Sequence, residues 1–145
     1  MTENEKQIKL QQLKAELQAK HNTIQRKKDE VNKMKMKDLM QTTDEYYECK
    51  RDLVSQIDAL RQKKKALDYD DPRRFDIEDE ARSLERMLSL KRTEHEAVLH
   101  RINNFHTMTR IDLDNEERTL TEWGEKQKAV IMAAETQHTD DQAQG

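Results

Sequence analysis

Apolar residues recur every seven positions along most of this chain, in two long series. The spacing is interrupted once in each series, by a step of eight from Val31 to Leu39 and another from Phe105 to Leu113. Heptads sustained in this way are typical of α-helices that supercoil around each other through one apolar stripe. We call this stripe the seam, and its predicted members are Leu10, Leu17, Ile24, Val31, Leu39, Tyr46, Leu60, Leu67, Ile77, Leu84, Val98, Phe105, Leu113 and Leu120.

The single proline lies between the two series. Asp71 and Pro72 form a helix start, because the Asp side chain accepts free backbone N–H groups and proline suits the first helical position. Folding the chain back here pairs residues whose numbers add up to 144, and the two eight-residue steps then face each other. We therefore predict an all-α fold, a long antiparallel two-helix coiled-coil hairpin that turns at about residues 68–73.

The predicted hairpin is one elongated domain over residues 1–135. Its first arm covers 6–67, its turn 68–72 and its second arm 73–134, so each arm is about 90 Å long at the rise of an α-helix. Residues 136–145 are polar and aperiodic, which is typical of a disordered tail.

An alternative fold is a bundle of shorter helices, with breaks near 41–44 and 103–109. Thr42 and Glu45 have the spacing of a capping box, which would start a new helix. Weak helix formers gather in the opposite stretch, which would favour a break there as well. A polar layer also interrupts the seam, either as a register-setting device or as a weak point, and it comprises Lys50, Lys91 and His95.

Composition and charge exclude several classes of fold. Charged residues make up 39% of the chain and hydrophobic residues 33%, with two glycines and one proline. A thick globular core and a turn-rich sheet fold are both excluded by these values. No apolar run is long enough to predict a membrane span. The basic first half, with a net charge of +4 over residues 1–68, and the acidic second half, with −7 over 69–145, favour two segments that lie against each other.

Apolar residues outside the seam are the candidate protein-interaction residues. A two-helix hairpin has a thin core, so we expect it to self-associate or to dock on a larger protein assembly. Trp123 is included because a lone tryptophan can anchor a partner. The full set is Tyr47, Val54, Met87, Leu90, Leu99 and Trp123.

Catalytic, metal-binding and cofactor-binding constellations are not predicted. His95 and His100 are five residues apart and therefore point in different directions on a helix, which does not suit a metal site. The only glycines are Gly124 and Gly145, so no glycine-rich phosphate loop exists. Cys49 is the only cysteine, which favours a reducing, cytoplasmic location.

These observations predict a non-enzymatic coiled-coil structural or adaptor protein, a subunit or spacer of a larger assembly. One alternative is a binder of nucleic acid or of an anionic surface through the Lys-rich first arm. Against nucleic acid, the basic runs contain no interleaved aromatic residues and are flanked by acidic ones. A second alternative is a small helical inhibitor or chaperone that binds one partner protein.

Overall fold

Two helices account for almost all of the structure. The computed structural model describes residues 1–134, in which α1 spans Glu3–Lys65 and α2 spans Arg73–Ala133, with no strand among these residues. The two helices pack against each other, which confirms the predicted all-α hairpin. The tail predicted at 136–145 lies outside the described residues.

The first helix begins with a reciprocal cap. The Glu5 backbone N–H donates to Thr2 Oγ1 at 3.1 Å, and the Thr2 backbone nitrogen donates to a Glu5 carboxylate oxygen at 3.3 Å. This is a capping box, which satisfies backbone donors that have no carbonyl partner in the first turn. It places the helix start at Glu3, three residues before the predicted position.

The turn ties both helix ends together through charged side chains. The Asp71 carboxylate accepts a hydrogen bond from the Arg73 backbone N–H at 3.0 Å, so it caps the start of α2. The Arg74 guanidinium donates to the backbone carbonyls of Lys64 and Leu67, at 3.2 and 3.1 Å. Arg74 therefore joins the start of α2 to the end of α1, where it adds a charged donor to the Lys64 carbonyl, which also accepts from the Leu67 backbone N–H at 3.1 Å.

Both helices run without interruption through the positions where the alternative fold would break. Residues 41–44 lie within α1 and residues 103–109 lie within α2. Gln41 Nε2 donates to Glu45 Oε1 one helical turn away, at 3.3 Å, so Glu45 supports the continuing helix instead of starting a new one. The prediction of shorter helices is therefore wrong, since each weak helix former costs only tenths of a kcal/mol.

The chain divides into two compact units. The terminal unit comprises residues 1–32 together with the part of the chain that follows from Thr107, and the turn unit comprises Lys33–His106. In the turn unit, ion pairs join Lys64 to Glu78 and Arg61 to Glu85, whose residue numbers add up to 142 and 146. These sums bracket the value of 144 expected for a chain folded back at residue 72.

Within the terminal unit, Lys28 Nζ lies 2.8 Å from both Asp114 and Glu117. The residue numbers of these pairs add up to 142 and 145, which also agrees with the expected pairing. Lys27 lies 3.6 Å from Glu116 in the same stretch. The hydrogen bonds from Lys28 hold the pKa of Asp114 below its ordinary value and raise the pKa of Lys28.

Thirteen of the fourteen predicted seam residues are buried or half-buried. Ile24, Ile77 and Leu113 are buried. The half-buried ones are Leu10, Leu17, Val31, Leu39, Tyr46, Leu60, Leu67, Leu84, Val98 and Leu120. Four more apolar residues complete the buried set, and these are Leu13, Leu53, Ile57 and Ala81.

Phe105 is the exception, because 67% of it is exposed and the neighbouring His106 is only 5% exposed. The step of eight in α2 therefore runs from Val98 to His106 and not from Phe105 to Leu113. His106 Nε2 lies 3.3 Å from an Asp38 carboxylate oxygen, which gives the buried imidazole a polar partner at the edge of the seam. One residue of shift turns a helix by about 100° and moves Phe105 away from the partner helix.

Candidate protein-interaction surface

The predicted polar layer centres on two stacked rings. Tyr46 and His95 lie with ring centroids 4.4 Å apart and planes within 5° of parallel. Neither lysine of the layer enters the seam, because Lys50 is exposed and Lys91 extends towards Glu94, with Nζ 3.5 Å from the carboxylate. Of the three residues of the layer, only His95 therefore lies in the seam. Its Nδ1 is buried without a hydrogen-bond partner among residues 1–134.

A groove opens beside this stacked pair. Tyr47 and Lys50 line it from α1, and Glu85, Arg92 and Glu96 line it from α2. Lys50 Nζ lies 5.9 Å from the centre of the Tyr47 ring, at the outer range of a cation–π contact. The surface combines an exposed aromatic ring with charges of both signs, the composition expected at the edge of a protein interface.

The same side of α1 continues as a stripe with heptad spacing. Tyr47 is 51% exposed and Val54 is 36% exposed, and a shallow depression joins them past Lys50 and Arg51. Positions with alternating steps of four and three lie on one face of a helix. We call this set the α1 stripe, and it comprises Met36, Met40, Thr43, Tyr47, Lys50 and Val54.

Met36 and Met40, at 61% and 62% exposed, were missed by the sequence analysis as surface residues. The signal was present in the spacing, since both methionines fall on the heptad positions that precede Tyr47. A second heptad track beside the seam is therefore the pattern that would have identified them.

Met87 and Leu90 lie on the other side of the turn unit. Six residues of α2 line the groove, and at 100° per residue Met87 and Leu90 lie about 140–160° round the helix from the mean direction of those six. Met87 and Leu90 are 47% and 65% exposed. The sequence-predicted interaction residues therefore do not form one patch, because the α1 residues and these α2 residues face opposite ways.

The last two predicted interaction residues are more covered. Leu99 is half-buried in the turn unit. Trp123 is half-buried in the terminal unit, in a depression that Ile24 and Leu120 also line. Lys20 Nζ lies 4.4 Å from the centre of the Trp123 ring, which is a cation–π contact. Trp123 is therefore packed mainly against its own hairpin.

Gly124 lets α2 pack closely against a leucine of α1 in the terminal unit. It is buried, and a Cβ atom added to it would lie 2.8 Å from both Cδ atoms of Leu17. That distance is shorter than a carbon–carbon contact allows, so the absence of a side chain makes room for Leu17. The glycine thus serves packing, and α2 continues through it without a break.

The first arm has three basic runs, at residues 26–28, 33–37 and 61–65, and the first and third face acidic residues of α2. Lys28 and Lys27 pair as described above, while Lys64 Nζ lies 2.9 Å from a Glu78 carboxylate oxygen. This hydrogen bond holds the pKa of Glu78 below its ordinary value. These cations are therefore engaged within the hairpin.

The described part of the chain contains no cluster of three or more His, Cys, Asp or Glu side chains that could hold a metal ion. Among residues 1–134, no helix combines the length and apolar character needed to cross a membrane. No protein-family model matches the chain, and neither a curated protein nor a solved structure matches it.

Proposed function

We propose that this chain is a non-enzymatic coiled-coil structural or adaptor protein, a cytoplasmic subunit or spacer of a larger protein assembly. The observation that carries the proposal is the balance of apolar burial. Among the described residues, seven hydrophobic residues are buried and fifteen large hydrophobic residues are exposed. Scattered exposed apolar residues are ordinary on a protein surface, but a set with heptad spacing is a helix-packing face.

The free energies of apolar burial and of backbone ordering also support the proposal. A fully buried Leu or Ile contributes about 1.5–3 kcal/mol, whereas ordering each backbone residue costs about 1–2 kcal/mol. No large side chain of the described residues is fully buried. A hairpin with this core gains stability from any partner that covers its exposed faces.

The proposal is tested by size-exclusion chromatography of an extract of cells that make the protein. The purified chain is run beside it at the same concentration. The chain in the extract should elute at a larger mass than the purified chain. Tyr47→Ala should shift that peak towards the purified mass, whereas Tyr69→Ala, which removes a 92% exposed ring in the turn, should not. Identical elution in both samples would contradict the proposal.

The alternative of nucleic-acid or anionic-surface binding is less well supported, since two basic runs are paired with carboxylates of α2. Retention on heparin that falls steeply with salt would favour that alternative. The inhibitor or chaperone alternative predicts saturable one-to-one binding to a single protein, without self-assembly.

A further inference from the structure

The turn unit has two exposed stripes with heptad spacing, one on each helix. The α1 stripe is defined above, and its counterpart on the opposite side is the α2 stripe, which comprises Met87, Leu90, Glu94, Ala97 and Arg101. The steps of the α2 stripe are three, four, three and four, so its residues share one face of α2. The α1 stripe spans about five helical turns and the α2 stripe about four, and they share the same levels over residues 43–54 and 90–101.

Both stripes occupy the same levels of the hairpin. In the turn unit, residues at one level have numbers that add up to about 144, as the ion pairs show. Val54 is therefore level with Leu90, and Tyr47 is level with Ala97. A second copy placed alongside in the same orientation brings its α2 stripe onto the α1 stripe of the first copy, antiparallel and without a shift along the axis.

Charge complementarity selects this arrangement. Lys50 is the charged position inside the α1 stripe, Glu94 is the acidic position inside the α2 stripe, and the two are level. Their side chains are exposed, and Lys91 lies 3.5 Å from Glu94 in the hairpin. Pairing the α1 stripe with another α1 stripe would leave Lys50 without an acidic residue inside either stripe.

We propose that a second copy of this chain covers the α1 stripe with its α2 stripe, placing Val54 on Leu90, Tyr47 on Ala97 and Lys50 beside Glu94. The inference deepens the proposed function by naming the self-association surface. The contact is heterologous, because each copy uses a different stripe on each side. A heterologous contact between copies in one orientation leaves a free stripe at each end, so the assembly grows with concentration instead of stopping at a dimer.

The experiment measures the mass of the purified chain by sedimentation over a wide range of concentration. For a chain of 17.3 kDa, the average mass should rise beyond that of two copies without reaching a plateau. Lys50→Glu and Glu94→Lys each place like charges in the contact, and each should weaken association roughly tenfold or more. Lys37→Glu, an equal charge change about 140° round the helix from Lys50, is the matched control and should leave association unchanged.

Mixing the two charge variants is the decisive measurement. The carboxylate introduced by Lys50→Glu then meets the ammonium introduced by Glu94→Lys, and the next contact joins the unaltered Lys50 and Glu94. The equimolar mixture should therefore assemble as the unaltered chain does. A discrete dimer, a monomer at all concentrations, or a mixture that assembles no better than either variant alone would overturn the inference. These results leave the extract fractionation unaffected, so a failure here is distinguishable from a failure of the proposed function.

Discussion

The contact between Gly124 and Leu17 provides a sharp test of packing in the terminal unit. Replacing glycine by alanine inside a helix is favourable by about 1 kcal/mol. At Gly124 the added Cβ would lie 2.8 Å from two carbons of Leu17, so the leucine must move. Overpacking of this kind costs about 1–3 kcal/mol, so Gly124→Ala should leave stability unchanged or lower it by up to about 2 kcal/mol.

The sign should reverse when Leu17 is shortened. Leu17→Ala alone should cost about 2 kcal/mol, the lower end for a leucine truncation because the residue is half-buried. In that background the Cδ atoms are gone, and Gly124→Ala should stabilise the chain by the full helical gain of about 1 kcal/mol. The coupling energy between the two positions should therefore be about 1–3 kcal/mol.

Urea unfolding followed by circular dichroism measures all four free energies at one protein concentration. Ala129→Gly, at an exposed position of the same helix, calibrates the difference between glycine and alanine in this chain and should cost about 1 kcal/mol. If Gly124→Ala stabilises the unaltered chain as much as the Leu17→Ala chain, the coupling is zero and the packing argument is refuted.

Three further predictions concern the seam, the turn and acid stability. His106→Ala should destabilise the chain by about 2 kcal/mol or more, since a buried seam side chain and its contact with Asp38 are lost, while Phe105→Ala should change stability by at most about 0.5 kcal/mol. Arg74→Ala should cost about 1–2 kcal/mol, because two carbonyls at the end of α1 lose a charged donor. The lowered pKa values of Glu78 and Asp114 stabilise the fold above their ordinary values of 4.5 and 3.8, and this contribution should be lost as the pH falls below them.

Each of these has a defined control. A Phe105→Ala loss larger than the effect at His106 would contradict the shifted seam. Arg74→Lys should recover only part of the Arg74→Ala loss, since both hydrogen bonds come from the terminal nitrogen Nη1 and a lysine side chain ends one bond short of that atom. For acid stability, Lys64→Gln should flatten the pH dependence of unfolding, and an unchanged pH profile would rule out the Glu78 pair as its cause.

The fold was predictable because its signals are local and repeated. Heptads identify the packing face of each helix, and the Asp71-Pro72 pair marks the turn by itself. The eight-residue step in α2 was placed one position wrongly because a scale of apolar residues favours Phe105 over His106. Only the partner helix, which brings Asp38 to the imidazole, makes the histidine the better seam residue.

Capping shows a second limit of reading local patterns. Thr2 with Glu5 and Thr42 with Glu45 have the same spacing, yet only the first pair starts a helix. The difference is that helix already precedes Thr42, and breaking it would sacrifice packing on both sides. The carbonyl contacts of Arg74 depend on the return of the chain, so no pattern within one helix predicts them.

The location of the cross-helix ion pairs has a consequence for the order of folding. Lys64 and Glu78 are 14 residues apart along the chain, whereas Lys28 and Glu117 are 89 apart. Joining the distant pair first would close a loop that costs roughly 1.6 kcal/mol more in chain entropy than the short one. The hairpin is therefore expected to fold outwards from its turn. Each ion pair that forms between the helices shortens the loop that the next ion pair must close. In hydrogen exchange, the turn unit should then retain its amide protons longest, and the chain ends should open first.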